Sequence, residues 1–305
     1  MPFLLLSMAA CFWGGNYVVG HLLVAHSDPI VLSAARWSIT AILLMIIYFK
    51  QVKIQWPEIK RAKNTVLLLA LCGQVIFPLT LYIGLQYTTS LKAAICLSAT
   101  PTLVLLINRI IFRESISIAN VAGVVLSSLG VIWLVTEGSP FNAAAFNHLN
   151  QGDIWALISA ISWAVYCAFL RTKPSSVGGH AFVAVSATLG ALILMPILFA
   201  SLIIKGVPDT KLSLSLPFLS GLAYLVIFPS WLSYVLWNRG IAAIGATRGE
   251  IFSHIIPLSG GLFSITFLDM HLSMFHIISA VLIISGIACC SKESGKRKQK
   301  KQCIT

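Results

Sequence analysis

The feature that most constrains this chain is a series of long apolar runs from which charge is almost excluded. Such runs lie near 3–25, 30–49, 64–86, 93–112 and 117–136; after a polar stretch at 137–152 they resume at 153–170, 179–204, 215–237, 245–268 and 272–291. A helix needs about 20 apolar residues to cross the ~30 Å hydrocarbon layer of a bilayer. In lipid a segment must satisfy its own backbone N–H and C=O groups, and the α-helix does so within one run. The expected fold is an all-α integral membrane protein of ten transmembrane helices, five before the spacer and five after. Composition agrees. The chain is 58% hydrophobic and 10% charged, whereas soluble domains average roughly 45–50% and about 25%.

The net charge of +12 is explained by where the cations fall. With the N-terminus in the cytoplasm, the inner side receives Lys50, Lys53, Lys60, Arg61, Lys63, Arg109, Arg113, Arg171, Lys173, Arg239 and Arg248, and then the basic stretch from Lys292 to Lys301. The outer side receives Lys92, Lys205 and Lys211, and Arg36 falls inside the second run. Cytoplasmic loops of membrane proteins carry this excess of Lys and Arg. The expectation is an inner or plasma membrane protein with both termini cytoplasmic. The basic tail, 292–305, reads as an inside anchor that can also meet anionic headgroups. Nucleic-acid binding is not expected, because it would need a folded basic domain. The cysteines stand mostly alone in apolar runs, without C-x-x-C. Neither a disulfide framework nor a metal site is expected, and no cofactor is implied.

The two halves resemble each other. Gly84, Lys92, Pro101, Ser117 and Gly130 match Gly240, Arg248, Pro257, Ser273 and Gly286 at one constant offset. Further upstream, Val75-Ile76-Phe77-Pro78 recurs as Val226-Ile227-Phe228-Pro229, and Trp13 corresponds to Trp163. Five helices per repeat is an odd number, so the second copy enters the membrane from the opposite side. The expected repeats are 1–136 and 153–291, joined by 137–152. Inverted repeats of this kind underlie alternating access in many transporters.

The residues Trp13-Gly14-Gly15-Asn16, Arg36 after Pro29, Leu85-Gln86-Tyr87-Thr88 leading into Pro101, and Phe112-Arg113-Glu114-Ser115-Ile116-Ser117 before Gly123 and Gly130 carry a family resemblance. The chain resembles the drug/metabolite transporter superfamily, specifically its EamA branch. That resemblance implies a ten-helix bundle with a central cavity that moves small metabolites, often outward.

Polar and aromatic residues inside the runs are the candidates for the transport path. Trp13, Asn16 and Tyr17 in the first run and Trp163 and Tyr166 in the sixth recur at helical steps, which places each set on one face. With Arg36, Gln74, Tyr82 and Trp231 they form the expected substrate-binding set; the alternative for each is helix packing or an interfacial anchor. Arg36 suits an anionic or carboxylate substrate. Glu250 and His254, four apart and expected on one face, are candidates for proton coupling. Lys92 and Arg248 are candidates for a gate. Pro78, Pro101, Pro229 and Pro257 interrupt their helices in matched positions and suit hinges. Small residues at Gly123, Ser127, Gly130, Ser279 and Gly286 read as scaffold or a dimer surface.

The expected function is a secondary transporter, an exporter of small metabolites such as amino acids, acting as a monomer or homodimer through a central cavity. The alternative is a channel or a non-transporting membrane sensor. An enzyme is not expected, because no H-E-x-x-H, G-x-S-x-G or P-loop is present.

Overall fold

A computed structural model describes residues 1–88, 93, 96–140, 150–206, 215–267 and 273–302. The regular structure is helical, with no extended strand among these residues. Helix α1 is Pro2–Val24, α2 Pro29–Arg61, α3 Lys63–Leu85, α4 Thr100–Ile110 and α5 Ile118–Val135. Then come α6 Gln151–Phe169, α7 Gly179–Lys205, α8 Leu216–Ile244, α9 at 246–267 and α10 Met274–Gln302. Among the described residues six helices are long and apolar enough to cross a membrane, and Cys96–Ile110, Ile118–Leu134 and Met274–Cys290 are shorter apolar helices.

The helix starts follow local chemistry. Asp28 caps α2 by accepting from the Ile30 N–H at 2.8 Å, and Pro29 takes the first position, where a missing N–H costs nothing. Asn150 and Asp153 form a reciprocal capping box at the start of α6. Gly245, at φ +83°, ends α8 and turns the chain into α9, a conformation that a Cβ disfavours.

Two expected boundaries move. The second apolar run ends near 49, but α2 continues to Arg61 through Pro57. Hydropathy marks where the lipid ends, and the helix carries its lysines beyond that point. Likewise α10 runs on to Gln302, so the basic stretch continues a helix through 302. Lys92, Asp269 and His271, and residues 141–149 of the spacer, lie outside the described residues.

The principal helix contacts are α2 with α7, α5 with α10, α1 with both α8 and α9, and α3 with α6. At the α5/α10 contact a Cβ added to Gly286 would lie 2.6 Å from the Gly123 carbonyl oxygen. The glycines therefore allow backbone-to-backbone approach. The expected alternative of a dimer surface is corrected for Gly123, Gly130 and Gly286, which face each other's helices within one chain.

Candidate functional site

Both α3 and α8 contain a π-helical stretch beside a proline: Leu71–Ile76 just before Pro78, and Val226–Leu232 around Pro229. Proline has no N–H, and a π turn shifts the ladder, so carbonyls are left to find other donors. Those donors come from neighbouring helices. Ser162 of α6 donates to the Cys72 carbonyl at 2.9 Å, and the Tyr234 hydroxyl donates to that of Gly73. Trp13 of α1 donates its indole N–H to the Pro229 carbonyl at 3.0 Å. The Leu225 carbonyl, four residues before Pro229, accepts from Ser230 Oγ at 2.7 Å.

Ser230 also accepts from Arg36. The guanidinium of Arg36 is 1% exposed; its Nε lies 2.5 Å from Ser230 Oγ. Its Nη1 donates to Asn16 Oδ1 at 3.0 Å and to the Tyr82 hydroxyl at 2.5 Å, and Tyr82 donates in turn to Asn16 Oδ1 at 3.1 Å. Trp37 and Tyr82 present ring faces 5.3 and 5.8 Å from the Arg36 Cζ. One network thus ties together α1, α2, α3 and α8. All its acceptors are neutral, and no carboxylate forms an ion pair with Arg36 among the described residues. An arginine stays charged in any protein environment, and an unneutralised buried charge costs several kcal/mol.

Next to this network lies an aromatic cluster. Trp13 and Trp163 meet edge to face at 4.9 Å, and Tyr234 and Trp237 pack against both. Tyr166 stacks on Trp163 at 5.0 Å, and its hydroxyl donates to Asn238 Oδ1 at 2.8 Å. The rings touch one another, so in this conformation the middle of the bundle is a packed aromatic core. Beyond it lies Glu250, 1% exposed, whose Oε1 accepts from the Trp163 indole at 3.2 Å while Oε2 has no hydrogen-bond partner.

Glu250 and His254 do not share a face, which corrects the expectation. They lie in the 3-10 stretch Glu250–His254; at three residues per turn, residues four apart diverge by roughly 120°. His254 turns to the residues just before α4 and to α5: Nδ1 lies 2.7 Å from Ser127 Oγ and Nε2 lies 3.0 Å from the Ser98 carbonyl oxygen. A carbonyl only accepts, so Nε2 carries a proton. With a neutral ring Ser127 donates to Nδ1; with a charged ring Nδ1 donates, and Ser127 turns its hydrogen to the Gly123 carbonyl, 2.8 Å away.

The remaining candidates separate. The Gln74 amide, oriented to satisfy its donors, bonds the Leu69 and Ala70 carbonyls of its own helix at 3.1 Å. Trp231 donates to the Tyr48 hydroxyl at 3.1 Å, away from the central cluster. The Tyr17 hydroxyl is buried without a hydrogen-bond partner. Arg248 sits in the short helix Ala246–Gly249 that opens α9. Pro78 follows one π turn closely and Pro229 lies within the other, Pro101 stands in the first turn of α4, and Pro257 follows the 3-10 stretch. The reading of the sequence missed Ser230, Trp37, Trp237, Asn238 and Ser98; serine and asparagine inside apolar runs were the available signal.

The chain is 24% identical to the uncharacterized transporter YyaM of Bacillus subtilis, over 92% of this chain and 90% of that protein. It is 26% identical to the uncharacterized transporter YetK of Bacillus subtilis, over 92% of this chain and 84% of that protein. With the uncharacterized inner membrane transporter YicL of Salmonella typhimurium the identity is 22%, over 95% of each chain. A crystal structure with 16% sequence identity superposes with a TM-score of 0.75 over 97% of this chain and 98% of its own, which establishes a shared fold. The EamA-like transporter family model matches residues 1–136 and again 150–292, so this membrane-spanning chain belongs to the EamA-like transporter family.

Proposed function

We propose that the protein is a secondary transporter that exports carboxylate-bearing metabolites such as amino acids, by alternating access between two inverted five-helix repeats, 1–136 and 153–291. The observation that carries this reading is Arg36: a buried, permanently charged group held by Asn16, Tyr82 and Ser230 and given no counter-charge among the described residues. A substrate carboxylate supplies that charge, and a guanidinium binds one through two parallel hydrogen bonds. Ten spans with both termini in the cytoplasm of an inner or plasma membrane fit the distribution of Lys and Arg. The inverted arrangement is supported by the π stretches at matched places in α3 and α8, and by the matched pairings of α2 with α7 and α5 with α10.

In this reading the aromatic core closes the path, and the breaks at Pro78, Pro101, Pro229 and Pro257 let helix ends swing to open it on either side. Glu250 and the His254–Ser127 pair are the proton-handling groups, and Arg248 with Lys92 flanks the gates. The test is counterflow in proteoliposomes across carboxylates and their matched carboxamides. Carboxylates are expected to exchange and amides not. Arg36→Gln is expected to abolish exchange while the folded protein survives purification. Equal transport of acid and amide, or full activity in Arg36→Gln, refutes the proposal.

A further inference from the structure

A cleft of about 460 Å³ opens where the end of α2 and the start of α3 meet α7, far from Arg36. Its floor is apolar: Ile59, Val66 and Val185 are buried, and Leu67 and Leu189 continue the wall. Its mouth is basic, with Lys60 and Lys63 beside a half-exposed Trp56. Side chains of the same stretch of α2 bond the segment before α7: Gln55 Oε1 accepts from the Gly178 N–H at 2.7 Å, and Glu58 accepts from Ser176 at 3.3 Å. Glu58, on the same stretch of α2, pairs with Arg61 at 2.9 Å.

Depth follows from chain length. Trp56 lies about 40 Å along α2 from Pro29 at 1.5 Å per residue. A bilayer measures roughly 40–45 Å across both headgroup layers. The cleft mouth thus falls at headgroup level on the basic side, where tryptophan is at home. From the mouth α3 and α7 both run back into the hydrocarbon, so Leu67 and Leu189 line the deeper end.

We infer that this cleft is a binding site for one anionic phospholipid of the inner leaflet, its phosphate at Lys60 and Lys63 and the first part of an acyl chain along Val66, Val185 and Leu189. Apolar walls below a pair of ammonium groups match an amphiphile with an anionic head and fit neither a soluble anion nor a zwitterionic lipid equally well. The inference needs only that the hairpin of α2 and α3 stands at the basic face; it does not depend on what the protein transports.

The test is native mass spectrometry of the full chain titrated with phosphatidylglycerol or phosphatidylcholine of identical acyl chains. One phosphatidylglycerol is expected to be retained in preference. Removing both charges in Lys60→Gln/Lys63→Gln is expected to weaken its retention by roughly 25-fold, each ammonium in contact with the bound headgroup contributing about fivefold. Lys50→Gln/Lys53→Gln removes the same charge outside the cleft and leaves retention unchanged. Val185→Phe fills the floor and lowers retention with both lysines in place, a readout that survives if the lysine pair fails to fold. Equal retention of the two lipids, equal loss in the control pair, or displacement of the lipid by glycerol phosphate alone overturns the inference.

Discussion

Ser230 is the hinge of the buried network, and its removal is a sharp test of it. The hydroxyl accepts from Arg36 Nε at 2.5 Å and donates to the Leu225 carbonyl at 2.7 Å, and the residue is 0% exposed. Ser230→Ala leaves a buried charged N–H and a carbonyl already deprived by Pro229. A hydrogen bond to a charged group is worth ~1.5–3 kcal/mol, and a stranded buried acceptor costs ~1–3 kcal/mol. The two bonds share one hydroxyl and do not add fully, so the expected loss is about 3 kcal/mol. At ~2 °C per kcal/mol for a chain of this size, the melting temperature in detergent falls by ~6 °C. The decisive measurement is a double-mutant cycle with Arg36→Met, which keeps the volume and removes the charge. In that background Ser230→Ala loses only the carbonyl bond, and the coupling is expected to be about 1.5 kcal/mol or more. If Ser230→Ala costs the same in both backgrounds, Arg36 and Ser230 are not coupled and the network argument fails.

Other outcomes follow from the same geometry. Gly286→Ala is expected to abolish recovery of monodisperse protein in size-exclusion chromatography, because its Cβ would meet the Gly123 backbone oxygen at 2.6 Å; Gly179→Ala, with nothing within 4 Å, behaves as the parent. Asn108 donates to Thr247 Oγ1 at 2.8 Å between α4 and the start of α9, while its own Oδ1 has no hydrogen-bond partner. Thr247→Val therefore strands a buried amide and lowers stability by ~1–3 kcal/mol in a thermal melt, whereas Thr247→Ser stays close to the parent. Glu250→Gln keeps the acceptor for the Trp163 indole and removes the ionisable carboxyl. Counterflow is expected to persist while accumulation driven by a pH gradient is lost; undiminished pH-driven accumulation removes Glu250 from the coupling role.

The amino-acid sequence by itself determined that this chain is helical and lies in a membrane, because long uncharged runs have only one way to satisfy their backbone in lipid. It also disclosed the matched prolines and tryptophans, since identical residues at a constant spacing are visible without coordinates. The extent of α2 beyond 49 was hidden, because hydropathy reports the solvent around a helix and is silent about where its hydrogen bonds stop. Tertiary structure alone decided the partners. Asn16, Arg36, Tyr82 and Ser230 come from four helices, and no spacing within one run can bring them together. It also decided the winding of Glu250–His254, where 3-10 turns replace the α-helical period and send two residues of one expected face to different neighbours. Gln74 looked equivalent to its polar peers in sequence; the π turn that contains it left local carbonyls to satisfy, and its amide met those of Leu69 and Ala70.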